Sequence, residues 1–250
     1  MSGALPVIAA REIRALFVAP PAWILLAVVQ AVLGYVFLIR LDIFLELQPR
    51  IAALPSAPGL GSLVIAPLLR SAAFVPLLVV PLITMRLFAE ERQRGTLPLL
   101  LSAPVSATTV VLGKFLGVLA LLFVALLLNA LLPLSLLLGA GLDWGQFAAG
   151  YLALALVLAA YAAAGLLIST LCNSPGVAAI ATSGVLLLLW ALDWAGDRGG
   201  GWLAAMSMVS HLDTLLRGVV DTRDLAYFVL FIATCIVFAV RRLEALRLHA

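Results

Sequence analysis

Few residues in this sequence can do chemistry, and they gather in two places. The first is the segment 193–224, with Asp193, Asp197, Arg198, His211, Asp213, Arg217, Asp221, Arg223 and Asp224. His211 and Asp213 are the residue types of a metal site or an acid–base pair. Two positions apart on a helix they point to different faces, and no third ligand has suitable spacing. Asp213–Arg217 and Arg217–Asp221 are both i,i+4 pairs, so the spacing predicts an ion-pair ladder along a short outer helix. Contact with a partner protein is the other use for such a segment. Gly113-Lys114 is the chain's Gly-Lys pair. It has no glycine five residues earlier, and Phe115 follows in place of Ser or Thr, which excludes a P-loop. Cys172 and Cys235 have no partner at disulfide or metal spacing and read as apolar packing residues.

The second place is "MRLFAEERQRGTLPLLLSAPVS", residues 85–106. An apolar run ends here in Arg86, Glu90, Glu91, Arg92 and Arg94, and another begins at Lys114. Residues 86–94 are expected to carry the preceding helix onward, with Arg86 and Glu90 one turn apart and able to pair. Gly95 can end that helix and Thr96 can cap the next. Leu97, Leu100 and Leu101 then make an apolar stripe, closed by Pro104. Such an elbow suits a cytoplasmic partner that pushes on it, and equally a helix resting on lipid headgroups.

The elements around these residues are membrane helices. The chain has 250 residues, 65% hydrophobic and 11% charged, with a mean hydropathy of +1.22. A soluble domain needs far more charge to cover its surface, so the composition defines a polytopic all-α membrane protein. A bilayer core of about 30 Å needs about 20 apolar helical residues. Six runs qualify, at about 22–39, 71–88, 111–138, 147–171, 176–193 and 225–241. Residues 1–21 form an amphipathic lead, too long and too polar for a signal peptide. The second span is started at Ser71 because Arg70 at a helix centre costs about 2.5–3.5 kcal/mol. That leaves 59–70 as a short surface helix.

Six spans put both termini on one side. With termini inside, the inner segments hold nine basic residues and the outer ones six, which the positive-inside rule favours. Away from their ends the spans carry no ionisable side chain, and Asn129 is read as their one amide. An ion-coupled carrier normally needs buried carboxylates or broken helices at mid-membrane, and an intramembrane enzyme needs polar catalytic groups. A carrier and a non-transporting scaffold are the rival readings. Small residues at four-residue spacing (Ala155, Ala159 and Ala163; Ala160 and Ala164; Gly113 and Gly117) suit close helix packing, within the chain or across a dimer seam. The net charge of +3 gives no case for nucleic acid.

"RLFAEERQRGTLPLLLSAPVSATTVVLGKFLG" resembles the second-helix end, coupling helix and third-helix start of type-2 ABC exporter permeases. "AAREIRALFVAPPAWI" is similar to their N-terminal interface helix, with Arg11, Glu12 and Arg14 as its polar face. "SHLDTLLRGVVDTRDLAYF" resembles the segment before the last span in the gliding-motility-type branch. The ending is less like the branch that supports nitrous oxide reductase maturation. The resemblance covers most of the chain and implies a single permease domain over 1–250. It also implies re-entrant or outer helices before the last span and an inner-membrane location in bacteria. The implied partners are ABC ATPase subunits, which would carry ATP and Mg, and a second copy or a related permease with a large extracytoplasmic domain. The chain itself would hold no cofactor and no catalytic residue. By position, the coupling set is Glu91, Arg94, Gly95, Thr96, Leu97, Leu100 and Pro104. Glu91 and Arg94 would pair with the ATPase, and the leucines would fill its cleft. Pro98 stands where a polar residue is expected, and a first helical turn tolerates it.

Overall fold

Long apolar runs with satisfied caps fold as helices, and the computed structural model describes them over residues 4–51, 59–97, 105–138, 143–199 and 206–248. No strand occurs among the described residues. The first helix, α1 (Ala4–Val18), is followed by α2 (Pro20–Ile51). Pro20 and Pro21 fall in the first turn of α2, where no amide is needed for the ladder. The Trp23 indole donates to the Phe17 carbonyl at 2.6 Å and braces the junction. A π-helical turn, Gly61–Ile65, runs straight into α3 (Ala66–Thr84), and a short α4 (Ala89–Gln93) follows. Then come α5 (Ala107–Leu134), α6 (Trp144–Leu171), α7 (Pro175–Gly199), α8 (Met208–Leu216) and α9 (Thr222–Leu248). Side-chain caps start three of them. Ser106 accepts from Thr109 N before α5, Asp143 from Gly145 N and Gln146 N before α6, and Ser207 from Ser210 N before α8.

Six of these helical stretches are long and apolar enough to cross a membrane: 20–49, 61–93, 107–134, 144–171, 175–193 and 222–248. The all-α fold with six spans therefore stands as expected. α6 is the central helix, packing on α3, α5, α7, α8 and α9. Its small residues Ala153, Ala160, Ala163 and Gly165 let the neighbours approach closely. Lipid gives no hydrophobic drive between helices, so such close contact is what holds the bundle. The alanine series is mixed: Ala160, Ala163 and Ala164 are buried, Ala159 is half-buried, and Ala155 faces outward.

Three local expectations are corrected. No separate surface helix covers 59–70, because the π turn and α3 are continuous and carry Arg70 within the helix. Arg70 is tolerated there because Asp213 and Asp193 lie 3.3 and 3.9 Å from it. The second helix does not continue through 86–94 either. It ends at Thr84, and residues 85–88 turn before α4 begins. Finally, no helix spans 213–221: α8 stops at Leu216, and Gly218 takes φ +85°. Asp221 instead accepts from the Arg223 amide at the start of α9, so the Arg217–Asp221 step of the ladder is not helical.

Candidate functional site at the elbow

The turn 85–88 exposes backbone groups that α3 and α4 no longer satisfy, and Ser169 of α6 takes them up. Its Oγ accepts from Phe88 N and Ala89 N, each at 3.1 Å, and donates to the Met85 carbonyl at 3.2 Å. One turn below, Thr84 fills the space over Gly165. A Cβ on that glycine would lie 2.2 Å from Thr84 Oγ1. The elbow is thus bolted to the central helix.

α4 ends in a Schellman motif. Gly95 N bonds Arg92 O, Thr96 N bonds Glu91 O, and Gly95 takes φ +69°, a conformation glycine reaches without Cβ strain. Thr96 Oγ1 also donates to Glu91 O, so its described bonds close α4 from behind. Glu90 pairs with Arg94 at 2.5 Å, not with Arg86, because the break at 85–88 turns Arg86 away from the α4 ladder. Arg94 remains 71% exposed. Leu97 does not: it is 7% exposed and sits in the chain's own core. Leu100 and Pro104, with Pro98 and Leu101, lie outside the described residues.

Beneath the elbow is a cluster that sequence reasoning missed. Lys114, about two turns into α5, keeps 4% of its side chain exposed. Its Nζ lies 2.8 Å from Glu91 Oε1 and 3.1 Å from Glu12 Oε1, and 5.3 Å from the Phe88 ring centroid. Glu91 and Glu12 therefore both face Lys114, whereas Arg11 and Arg14 of α1 stay exposed. α1 reaches Lys114 because Gly113 and Gly117 offer it a flat seat. A Cβ at Gly113 would come within 2.6 Å of Ile8, and one at Gly117 within 2.9 Å of Glu12 Cβ. The Gly113/Gly117 face is thus spent on an intrachain contact. The signal that could have found this cluster was a lysine between two glycines inside an apolar run: a buried ammonium needs a counter-ion.

Two further ties converge. Arg92 Nη1 donates to Asn173 Oδ1 at 2.9 Å, joining the elbow to the α6–α7 loop. Arg247 Nη1 donates to the Val105 carbonyl at 3.0 Å, joining the end of α9 to the start of α5.

At the far end of the bundle Asp213 pairs with Arg70. Burial raises the Asp213 carboxyl above the usual range, Arg70 pulls it down, Asp193 raises it and Arg217 lowers it. His211 turns to Asp224, not to Asp213: its Nδ1 lies 2.6 Å from Asp224 Oδ1, with Tyr227 stacked on the ring at 4.3 Å. Within the spans Asn129 accepts from the Tyr151 hydroxyl at 2.9 Å, a structural bond. A second amide, Gln30, was overlooked in the sequence and donates to the Ala125 carbonyl at 2.7 Å, tying α2 to α5.

Six membrane-length helices, one of them the small-residue central helix, with a charged elbow at one end, define a polytopic membrane protein. The family model for ABC-2 family transporter proteins matches residues 53–245, and the chain belongs to that family. A comparison with curated proteins finds no match. The chain is accordingly a multi-pass membrane component of an ABC transporter.

Proposed function

We propose that this permease takes force from a separate ABC ATPase at the elbow and converts it into rearrangement of the spans, for export or for mechanical transduction. The observation that carries this reading is Lys114. By holding Glu91 of the elbow and Glu12 of α1 at once, it makes the elbow, the N-terminal helix and α5 move as a unit. The Ser169 bonds to Met85, Phe88 and Ala89 extend that unit to the central helix. A push at Arg94 then reaches α1, α5 and α6 without a flexible step between.

In this reading the outward contacts to the ATPase come from Arg94 and the segment after Gly95. Leu100 and Pro104 stay in the coupling set through the family resemblance alone. Glu91 and Leu97 act from inside, holding the elbow in place. ATP and Mg belong to the ATPase, and the permease works as a dimer, with itself or with a related permease. The similarity of 210–228 supports the gliding-motility-type branch, whose second permease carries a large extracytoplasmic domain. The surplus of basic residues on the elbow side supports cytoplasmic termini and an inner-membrane location.

Affinity purification of the tagged chain in mild detergent, with mass spectrometry of what accompanies it, tests this. A P-loop ATPase should be recovered with the wild type and lost with Arg94→Glu. A folded chain that comes out alone sinks the reading and returns the ion-coupled carrier and the scaffold to the front.

A further inference from the structure

At the end of the bundle opposite the elbow, α2, α3, α7 and α8, with Gln146 of α6, line an open cleft of about 660 Å³. Three arginines line it: Arg40 from α2, Arg70 from α3 and Arg217 at the end of α8. Two aspartates answer them. Asp213 and Asp193 both reach the same Nη2 of Arg70, at 3.3 and 3.9 Å. Arg40 and Arg217 have no carboxylate within ion-pairing distance among the described residues, so the cleft carries an excess of positive charge. The opposite wall is apolar. Phe74 and Trp190 meet edge to face at 5.1 Å, and Phe74 stays 42% exposed.

Depth gives this arrangement a meaning. Arg40 lies 20 residues after Pro20 in one unbroken helix, about 30 Å of rise, which is about one hydrocarbon thickness. With the start of the span at Pro20 taken as the near boundary of the bilayer core, the cleft sits where the far leaflet's headgroups begin, with its aromatic wall beside the acyl region. Guanidinium forks match phosphate and carboxylate oxygens, and an aromatic wall next to them suits a chain attached to that anion.

We propose that this cleft binds an anionic amphiphile, its charged head between Arg40, Arg70 and Arg217 and its apolar portion along Phe74 and Trp190. The site belongs to this chain alone and does not depend on the coupling reading, since no ATPase takes part.

The purified full chain in detergent is titrated with dihexanoyl phosphatidylglycerol, dihexanoyl phosphatidylcholine and inorganic phosphate, with binding read by native mass spectrometry. Arg40→Gln combined with Arg217→Gln breaks no short ion pair and removes only the longer-range pull of Arg217 on Asp213, so the fold should survive, and circular dichroism checks it. Each arginine near a lipid surface contributes about fivefold. The double variant should therefore bind the phosphatidylglycerol about thirtyfold more weakly, with phosphatidylcholine little affected. Equal binding of the two lipids by the wild type overturns the proposal, because the charge is then not read. Phosphate binding as tightly as phosphatidylglycerol overturns it too, because the apolar wall then plays no part. So does unchanged lipid binding in the folded double variant.

Discussion

Ser169 and Phe88 are 81 residues apart in sequence, yet the Ser169 hydroxyl accepts the Phe88 amide at 3.1 Å, at the point where the second membrane helix breaks. The same oxygen accepts from Ala89 and donates to Met85, so one side chain replaces the ladder bonds that the break removes. The hinge of the elbow is therefore held from outside its own segment. Ser169→Ala should leave these buried groups unpaired, at a cost of about 1–3 kcal/mol. Hydrogen exchange of the amides at 88 and 89 should speed up, with exchange elsewhere in α6 little altered. Unchanged protection at 88 and 89 would mean that another contact holds the break.

Lys114→Met is expected to destabilise more than any change on the exposed elbow surface. It leaves Glu12 and Glu91 facing each other with no cation between them. Breaking a buried pair costs about 3–5 kcal/mol. The lower end applies here, because the Glu12 and Glu91 side chains keep 19% and 28% of their exposure. Adding Glu91→Gln to Lys114→Met should recover part of the loss, since groups sharing one network are not additive. Thermal melts of the three proteins in one detergent decide it. Strict additivity would sink the shared-network reading.

The seat of α1 can be tested by bulk. Gly117→Leu would drive a side chain into the α1 backbone at Glu12 and Ile13, whereas Leu116→Ala changes an exposed position on the same helix. Overpacking of this kind typically costs about 1–3 kcal/mol. The first variant should release α1, which limited trypsin cleavage after Arg11 and Arg14 would report as a several-fold faster clip. The second should be cut at the wild-type rate. Equal rates for all three would show that α1 does not depend on the glycine face.

Asp213 should make stability depend on pH in a direction opposite to that of an ordinary ion-paired carboxylate. Its folded-state carboxyl is raised by burial, so the folded protein holds the proton more tightly than the unfolded chain. The associated stability is fully present below the unfolded value, about pH 4, and is lost as pH rises through the raised folded value. The wild type's advantage over Asp213→Asn should therefore shrink from about pH 4 toward neutrality. Melting temperatures of both proteins across that range measure it. An advantage that grows with pH would mean that Arg70 outweighs burial.

Much of this architecture was legible in the chain itself. Six apolar runs of about bilayer-core length, almost free of charge, leave helices as the one economical way to satisfy their backbones in lipid. Gly95 was readable as a helix end because a positive φ favours glycine, and the structure gives it φ +69°. The spacing of Gly113 and Gly117 marked a close approach without saying which helix would make it. Tertiary structure decided everything that depends on a distant partner. Arg70 could stay inside α3 because Asp213 and Asp193 arrive from α8 and α7. Glu91 and Glu12 turned inward because Lys114, buried between them, needed counter-charge more than the surface did. Leu97 was taken into the core, and Asp221 left the ladder to cap α9. Local periodicity reports the cost of placing a residue in lipid or water, and that cost is set by the residue alone. Which ion pair forms is set by distances between segments that lie, for Lys114 and Glu12, 102 residues apart in the chain, and no local pattern carries those distances.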